Sequence, residues 1–262
     1  MSRSKPDYNE KDYDDVRKSG QIIRDFFAQI EGHIEPGVST LELDKIAHDF
    51  IVERGATPSF LNYQGFKHSI CTSVNEESIH GIPRKTKILK NGDIISIDVG
   101  VRYPAKGGMC TDAARTFSVG EVSASVKKLI DVTEQSFHAA VDGLKAGSRV
   151  LDIGKRIEQF VNGRYGIIEN FYGHGTGRNV HEGVLIPNFN VMRPDVNDKL
   201  VEMAANVFSV GDIICIEPMI NMGGKEVRLA KDGWTVLTVD GRVAAHYENT
   251  MIITADGVEI IT

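Results

Sequence analysis

The 262 residues are 41% apolar and 25% charged, enough to bury a real core as one large domain or two small ones and too well balanced for a disordered chain. A formal charge of -6 with no local Lys/Arg cluster excludes non-specific nucleic-acid binding. No apolar run is long enough to span a bilayer, the start is polar, and Cys71, Cys110 and Cys215 form no Cys-x-x-Cys pair, so the expectation is a cytoplasmic protein with no membrane role.

Residues 1–12 are polar, contain Pro6 and read as a loose arm before a single domain over 13–262. From Asp14 to Ile30, Val16, Ile22, Ile23, Phe26, Phe27 and Ile30 fall at helical spacing, stopped near Gly32 and Pro36-Gly37. Ser39 and Thr40, with Glu42 soon after, cap a second helix that Gly55 closes. Ser69–Val74 reads as a short strand, followed by the turn Asn75-Glu-Glu and by His80-Gly-Ile-Pro83. Gly92-Asp-Ile-Ile-Ser-Ile-Asp98 opens a buried strand, Tyr103–Gly108 is a turn, and the chain returns through Cys110–Phe117. Residues 122–145 and the stretch from Leu151 to Val161 are helical, and Tyr172–Arg178 is a glycine-rich strand or loop. The charged, Pro194-containing stretch 189–208 reads as a surface excursion. Trp234–Val239, Asp240-Gly241 and Val243–Ile253 read as a closing hairpin with Glu248 inside it.

Two phrases recur. Gly92-Asp-Ile-Ile-Ser-Ile-Asp98 is echoed by Gly211-Asp-Ile-Ile-Cys-Ile-Glu217, and Leu41-Glu-Leu-Asp-Lys45 by Leu151-Asp-Ile-Gly-Lys155. An offset of about 110 residues is what an internal duplication leaves, giving halves of about 13–120 and 121–262. Each half reads as helix, helix, strands. The expected class is α+β, with helices on one face of an antiparallel sheet.

Both echoed strands end in a carboxylate, which buried alone would cost several kcal/mol. If the strands around Pro104–Gly108 pair, Asp98 and Asp112 are expected to face each other across the ladder, where like charges repel. A shared proton, an arginine or metal ions could compensate; Arg115 is too close along the strand to serve both easily, which makes metal the economical answer. The bland alternative, two solvated surface aspartates, is opposed by the Ile-x-Ile-Asp98 context and by the echo at Glu217. Glu248, among apolar strand neighbours, needs a partner for the same reason. His174 lies in Gly173-His-Gly-Thr-Gly-Arg178, which lacks dinucleotide-loop spacing. His80 and His181 fall on turns, where catalytic side chains often sit. Such an oxygen-rich set suits Mn, Fe, Co or Zn rather than a thiolate zinc site, and four carboxylates balance two divalent cations.

The order His80, Asp98, Asp112, His174, His181, Glu217, Glu248 resembles the type I methionine aminopeptidases of the creatinase-like pita-bread fold, from about residue 12 to the end. The motifs that carry the resemblance are Cys71-Thr-Ser-Val-Asn-Glu76 with His80-Gly-Ile-Pro83, Ile97-Asp-Val-Gly100, Thr111-Asp-Ala-Ala-Arg-Thr-Phe117, Gly173–Arg178, Ile216-Glu-Pro-Met-Ile-Asn221 and Asp232-Gly-Trp-Thr-Val236. The resemblance implies a dinuclear-metal hydrolase that removes the initiator methionine when the second residue is small. Asp98, Asp112 and Glu248 would hold one metal, and Asp112, His174, Glu217 and Glu248 the other. Glu217 would also move the proton, His80 and His181 would contact the substrate amide, and Phe60, Tyr63, Phe66, Cys71 and Trp234 would seat the methionine side chain; plain core packing explains those five about as well. It further implies a monomer acting on nascent-chain N-termini, with the ribosome an open partner for the 190–208 stretch. The chain departs from the family pattern at Gln64, Lys67 and Gly183, and at His246 and Asn249 on either side of Glu248. Two other readings compete: an Xaa-Pro aminopeptidase, and a non-catalytic relative that binds peptides or proteins.

Overall fold

The computed structural model describes residues 7–262, so the first six positions of the expected 1–12 arm lie outside the described residues. Asn9 caps α1 (Glu10–Ile30) through a reciprocal pair of hydrogen bonds with Asp12, and residues 10–12 are therefore helix rather than arm. Ser39 and Glu42 form the same box at the start of α2 (Thr40–Glu53). Five strands follow: β1 (Thr57–Pro58), β2 (Ile70–Val74), β3 (Glu77–Ile79) and the long pair β4 (Ile94–Tyr103) and β5 (Met109–Ser118). Next come α3 (Ala124–Val141), α4 (Leu151–Val161), β6 (Gly166–Ile167), β7 (Tyr172–Gly175), β8 (Glu182–Pro187) and α5 (Asp198–Ala204). The chain closes through β9 (Ile213–Ile216), β10 (Met219–Asn221), β11 (Val227–Leu229), β12 (Val236–Thr238), β13 (Ala244–His246), β14 (Glu248–Ile253) and β15 (Val258–Ile260).

The principal sheet runs β1-β4-β5-β14-β9-β7-β8, with β2 beside β4 and β15 beside β14. The echoed strands, β4 and β9, flank the central pair β5–β14. Their shared Gly-Asp opening has one physical job. Gly92 (φ 95°) and Gly211 (φ 89°) take the left-handed conformation that favours glycine. Their N–H groups donate to Val119 and Ile253, while Asp93 and Asp212 accept from the amides of Lys90 and Ser209.

Period-two alternation then sorts the side chains. Ile95, Ile97, Val99 and Val101 of β4 pack with Ile23, Phe26, Leu43 and Phe50 of α1 and α2. Ile214 and Ile216 of β9, with Met251 and Ile253 of β14, pack with Leu129, Phe137, Ile153 and Ile157 of α3 and α4. Asp98, Cys215, Glu248 and Thr250 take alternate positions of the same strands and face the other way.

Two expectations fail. The closing hairpin does not form: β12 pairs with β11 and β3, β13 with β10, and β14 with β5, β9 and β15. Asp240 does make a turn, but its carboxylate also takes the Gly224 amide, tying that turn to a different part of the chain. The 189–208 stretch is not a simple surface excursion either. Phe189, Val191, Ala204 and Phe208 are buried in the second core, and backbone bonds from Val150 to Asn206 and from Phe208 to Ser148 stitch it to the start of α4.

Candidate metal centre and its cavity

Two transverse rows on that alternate face build the site. In the first, Cys71 opposes Asp98, Asp98 opposes Ala114, and Ala114 opposes Glu248. In the second, Asp112 opposes Gly100, and Cys215 stands between Thr250 and His174. Glu217 follows one residue after β9, in phase with Cys215. The expected direct opposition of Asp98 and Asp112 is therefore corrected: Tyr103 pairs with Met109, which shifts the ladder and sets the two aspartates diagonally. The small Ala114 side chain consequently lies between Asp98 and Glu248, and leaves room there.

Asp98, Asp112, His174, Glu217 and Glu248 are all buried and close to one another. His174 Nε2 lies 3.9 Å from Asp112 Oδ2, 3.6 Å from Glu217 Oε1 and 3.8 Å from Glu248 Oε1. These separations exceed hydrogen-bond range. They are what two atoms subtend when each sits about 2.1 Å from a common ion. Asp98 Oδ1, Asp112 Oδ1 and Glu248 Oε1 are buried without a hydrogen-bond partner, and Arg115 gives its donors to the carbonyls of Ala114 and Glu248 and to the Asn249 amide oxygen instead.

Without a cation this cluster cannot stay fully ionised. Burial pushes the Asp98 carboxyl up to about 6. Burial, and then the neighbouring carboxylates, raise Asp112 and Glu248 well above the usual range, and Glu217 rises likewise, with Asp98 as its charged neighbour. Burial lowers His174 to about 3, so its ring is neutral and can ligate. Orphaned oxygens, a neutral imidazole and mutually repelling carboxylates fit divalent cations. Cys215 also comes within reach of His174 and Glu248, but burial holds its thiol far above its ordinary pKa and its sulfur contacts Thr250 Oγ1 at 3.3 Å, which makes it a poor ligand.

The cluster floors a cavity of about 510 Å³ that is also lined by His80, His181, Phe60, Tyr63, Phe66, Cys71 and Trp234. The sequence-derived site residues thus converge on one space. Phe60, Phe66, Cys71, Cys110 and Val180 form a small apolar cluster of their own, with Tyr63 and Trp234 against it, and the Phe66 and Trp234 rings lie 5.1 Å apart. Gly100 makes this wall possible, because a Cβ there would come within 2.2 Å of Ser59 Oγ and 2.6 Å of the Phe60 ring.

His80 sits just past β3 with φ 56°, a backbone state uncommon outside glycine and often found at functional sites. Gly81 holds it there. It donates to Ser73 Oγ, accepts from the Thr72 amide and has no room for a Cβ, which would meet Thr72 O at 2.2 Å. Burial, then His246 and His181, lower His80 to about 4. Desolvation in the cleft also lowers His181, whose Nδ1 is 2.9 Å from the Tyr63 hydroxyl and whose ring meets that of His174 edge-on, with centroids 4.1 Å apart.

The motifs did not single out two neighbours. Phe171 packs edge-on against His80, with centroids 5.4 Å apart, and no sequence signal marks it. His246, noticed only as a departure from the family pattern, is buried beside Glu217 and Glu248. Its place two residues before Glu248, on the same strand phase, was the available signal.

A model of metallopeptidase family M24 matches residues 14–255. The chain belongs to metallopeptidase family M24. A curated M24 relative from Clostridium perfringens, named methionine aminopeptidase, is 44% identical over 255 residues and aligned over 97% of each chain. The solved methionine aminopeptidase of Thermotoga maritima superposes with a TM-score of 0.89 at 33% identity, over 100% of this chain and 99% of that one. A solved X-Pro aminopeptidase of Thermotoga maritima gives 0.72 at 21% identity, over 97% of this chain but 62% of that one, a likeness of fold alone. The M24 chain has the pita-bread fold and is a metallopeptidase.

Proposed function

We propose that this chain removes the N-terminal methionine from peptides and nascent proteins whose second residue is small. The observation that carries the reading is the joining, in one cavity, of a buried ligand cluster to an alcove walled by aromatic rings and Cys71. A thioether suits such walls, since sulfur–aromatic contacts add to apolar burial. The near-full-length identity to a methionine aminopeptidase points the same way.

In this reading Asp98, Asp112 and Glu248 would hold one divalent cation, and Asp112, His174, Glu217 and Glu248 a second, with Co, Mn, Fe or Zn suited to such donors. When bound, the cations supply Lewis-acid polarisation of the scissile carbonyl and a lowered pKa for water. Glu217, at the mouth of the cluster, accepts the proton from the attacking water and delivers it to the leaving amine. His80 and His181, both neutral at physiological pH, steady the peptide amide and the charge developing on it. The Tyr63 hydroxyl orients the His181 ring for that contact. Three free, buried cysteines suit a reducing cytoplasm, and a monomer meeting nascent chains at the ribosome is the setting we favour.

Hydrolysis of Met-Ala-Ser, Met-Lys-Ser and Ala-Pro-Ala by the purified chain tests the reading with Mn, Co, Fe or Zn added. Rapid release of Met from Met-Ala-Ser, at least about 100-fold slower release from Met-Lys-Ser and loss of both with chelator are expected. Preferential cleavage of Ala-Pro-Ala would move the assignment to the X-Pro peptidases. No turnover with any metal would overturn the enzyme and leave a peptide-binding relative.

A further inference from the structure

His246 ends β13, is buried, and has an Nε2 atom with no hydrogen-bond partner. A buried polar nitrogen left that way destabilises the fold unless something meets it. What faces it is a pair of carboxylates: Glu217 Oε2 at 3.6 Å and Glu248 Oε2 at 4.0 Å. Both separations are too long for hydrogen bonds. They nearly repeat those of His174, whose Nε2 lies 3.6 Å from Glu217 Oε1 and 3.8 Å from Glu248 Oε1. Each glutamate therefore turns one carboxylate oxygen toward His174 and the other toward His246. Two imidazoles bracket one carboxylate pair. The ligand atoms of Glu217, His246 and Glu248 all lie within 4.8 Å of one another, close enough to share an ion.

We propose that His246 Nε2 is an additional protein ligand of the metal cluster, acting with Glu217 Oε2 and Glu248 Oε2 on the side away from His174. The proposal rests on the metallopeptidase reading and adds a sixth residue to the set of five. It explains why a titratable side chain stands buried beside two carboxylates with its ring nitrogen unpaired. It also has a chemical consequence: a second imidazole moves the cluster toward Co, Zn and Fe and away from Mn, which prefers oxygen.

X-ray absorption of the full chain loaded with two equivalents of Co(II) counts imidazoles directly, and calorimetric titration gives the affinities. Two imidazoles per wild-type chain are expected, and one in His246→Gln. The weaker of the two Co(II) affinities should fall by about tenfold or more in the variant, with a smaller loss for Mn(II). Melting of the metal-free proteins checks that the variant is folded; should His246→Gln fail, His246→Asn is read in its place, and the wild-type count stands without either. One imidazole per wild-type chain, or a Co(II) spectrum and affinity that His246→Gln leaves unchanged, would overturn the ligand role alone. Failure of the wild type to take up any divalent metal would overturn the metallopeptidase reading beneath it.

Discussion

Asp112 has the most like-charged surroundings in the site: it is buried, and its pKa is raised by burial, then by Glu248, Asp98 and Glu217. A raised carboxylate stabilises the fold fully only below its unfolded pKa of about 4, and that contribution is lost as pH rises through the folded value. Asp112→Asn removes this loss. The metal-free variant should therefore be more stable than metal-free wild type at pH 8, by about 1–3 kcal/mol, with the gain shrinking toward pH 4. The same change should weaken metal binding by about 100-fold or more, since a ligand and a charge are lost together. Urea melts with and without metal measure both, and a metal-free variant less stable than wild type at pH 8 would show that Asp112 is not under repulsion. At this scale the sequence was most legible where a carboxylate ends an apolar β-branched run, as at Asp98 and Glu217. It was least legible where chemistry depends on register. The diagonal of Asp98 and Asp112 follows from a two-residue shift of the ladder, which keeps both on one face, and a histidine two residues from a glutamate looks like ordinary core until the strands around it are placed.

Among the elements, the helices were readable because their signals are local: apolar period, the Ser39 cap, a glycine stop; the Asn9 cap that starts α1 inside the expected arm was missed. The closing strands were not readable, because β12 pairs back onto β11, just before the expected hairpin, and onto β3, far away in sequence, and nothing within residues 234–253 encodes that choice. The echoed helices show how one repeated pattern serves two packings. Asp44 of α2 accepts the amides of Ser69 and Ile70, anchoring the start of β2. Its counterpart in α4 is Gly154, where an added Cβ would lie 2.1 Å from the Phe189 carbonyl oxygen and 2.6 Å from its nitrogen. A side chain reaches the neighbouring backbone in one half, and the backbone itself comes into contact in the other. Helix propensity alone would make Gly154→Ala stabilising by about 1 kcal/mol. Overpacking against a backbone that Phe189 and Val191 hold in the core reverses the sign, and a net loss of about 1–3 kcal/mol is expected in denaturant melts. A gain of stability would mean that the 189–208 segment yields freely to α4.

At the scale of the molecule, the site is a seam. Asp98 and Asp112 come from β4 and β5, and His174, Glu217 and Glu248 from β7, the residue after β9, and β14, so the proposed ligands lie on both sides of the β5–β14 junction. A bound cation ties these strands together, and its removal leaves carboxylates that repel across the same junction. Protons can replace the cation in part, because burial raises the Asp98 carboxyl to about 6 and its three acidic neighbours are raised as well. Since these pKa values are raised, the protonated, metal-free fold keeps the stability that the ionised one loses as pH rises. Chelation should therefore lower Tm at both pH 6 and pH 8, and more at pH 8. At a free metal concentration of about 100 times Kd the stabilisation removed is about 2.7 kcal/mol, or roughly 5–10 °C for a chain of this size. Metal uptake should in turn release protons, more at pH 6 than at pH 8, seen as a calorimetric heat that varies with the ionisation enthalpy of the buffer. Equal Tm losses at the two pH values, with a heat independent of buffer, would mean that the four carboxylates are already ionised without metal, and that the cations relieve no repulsion at the seam.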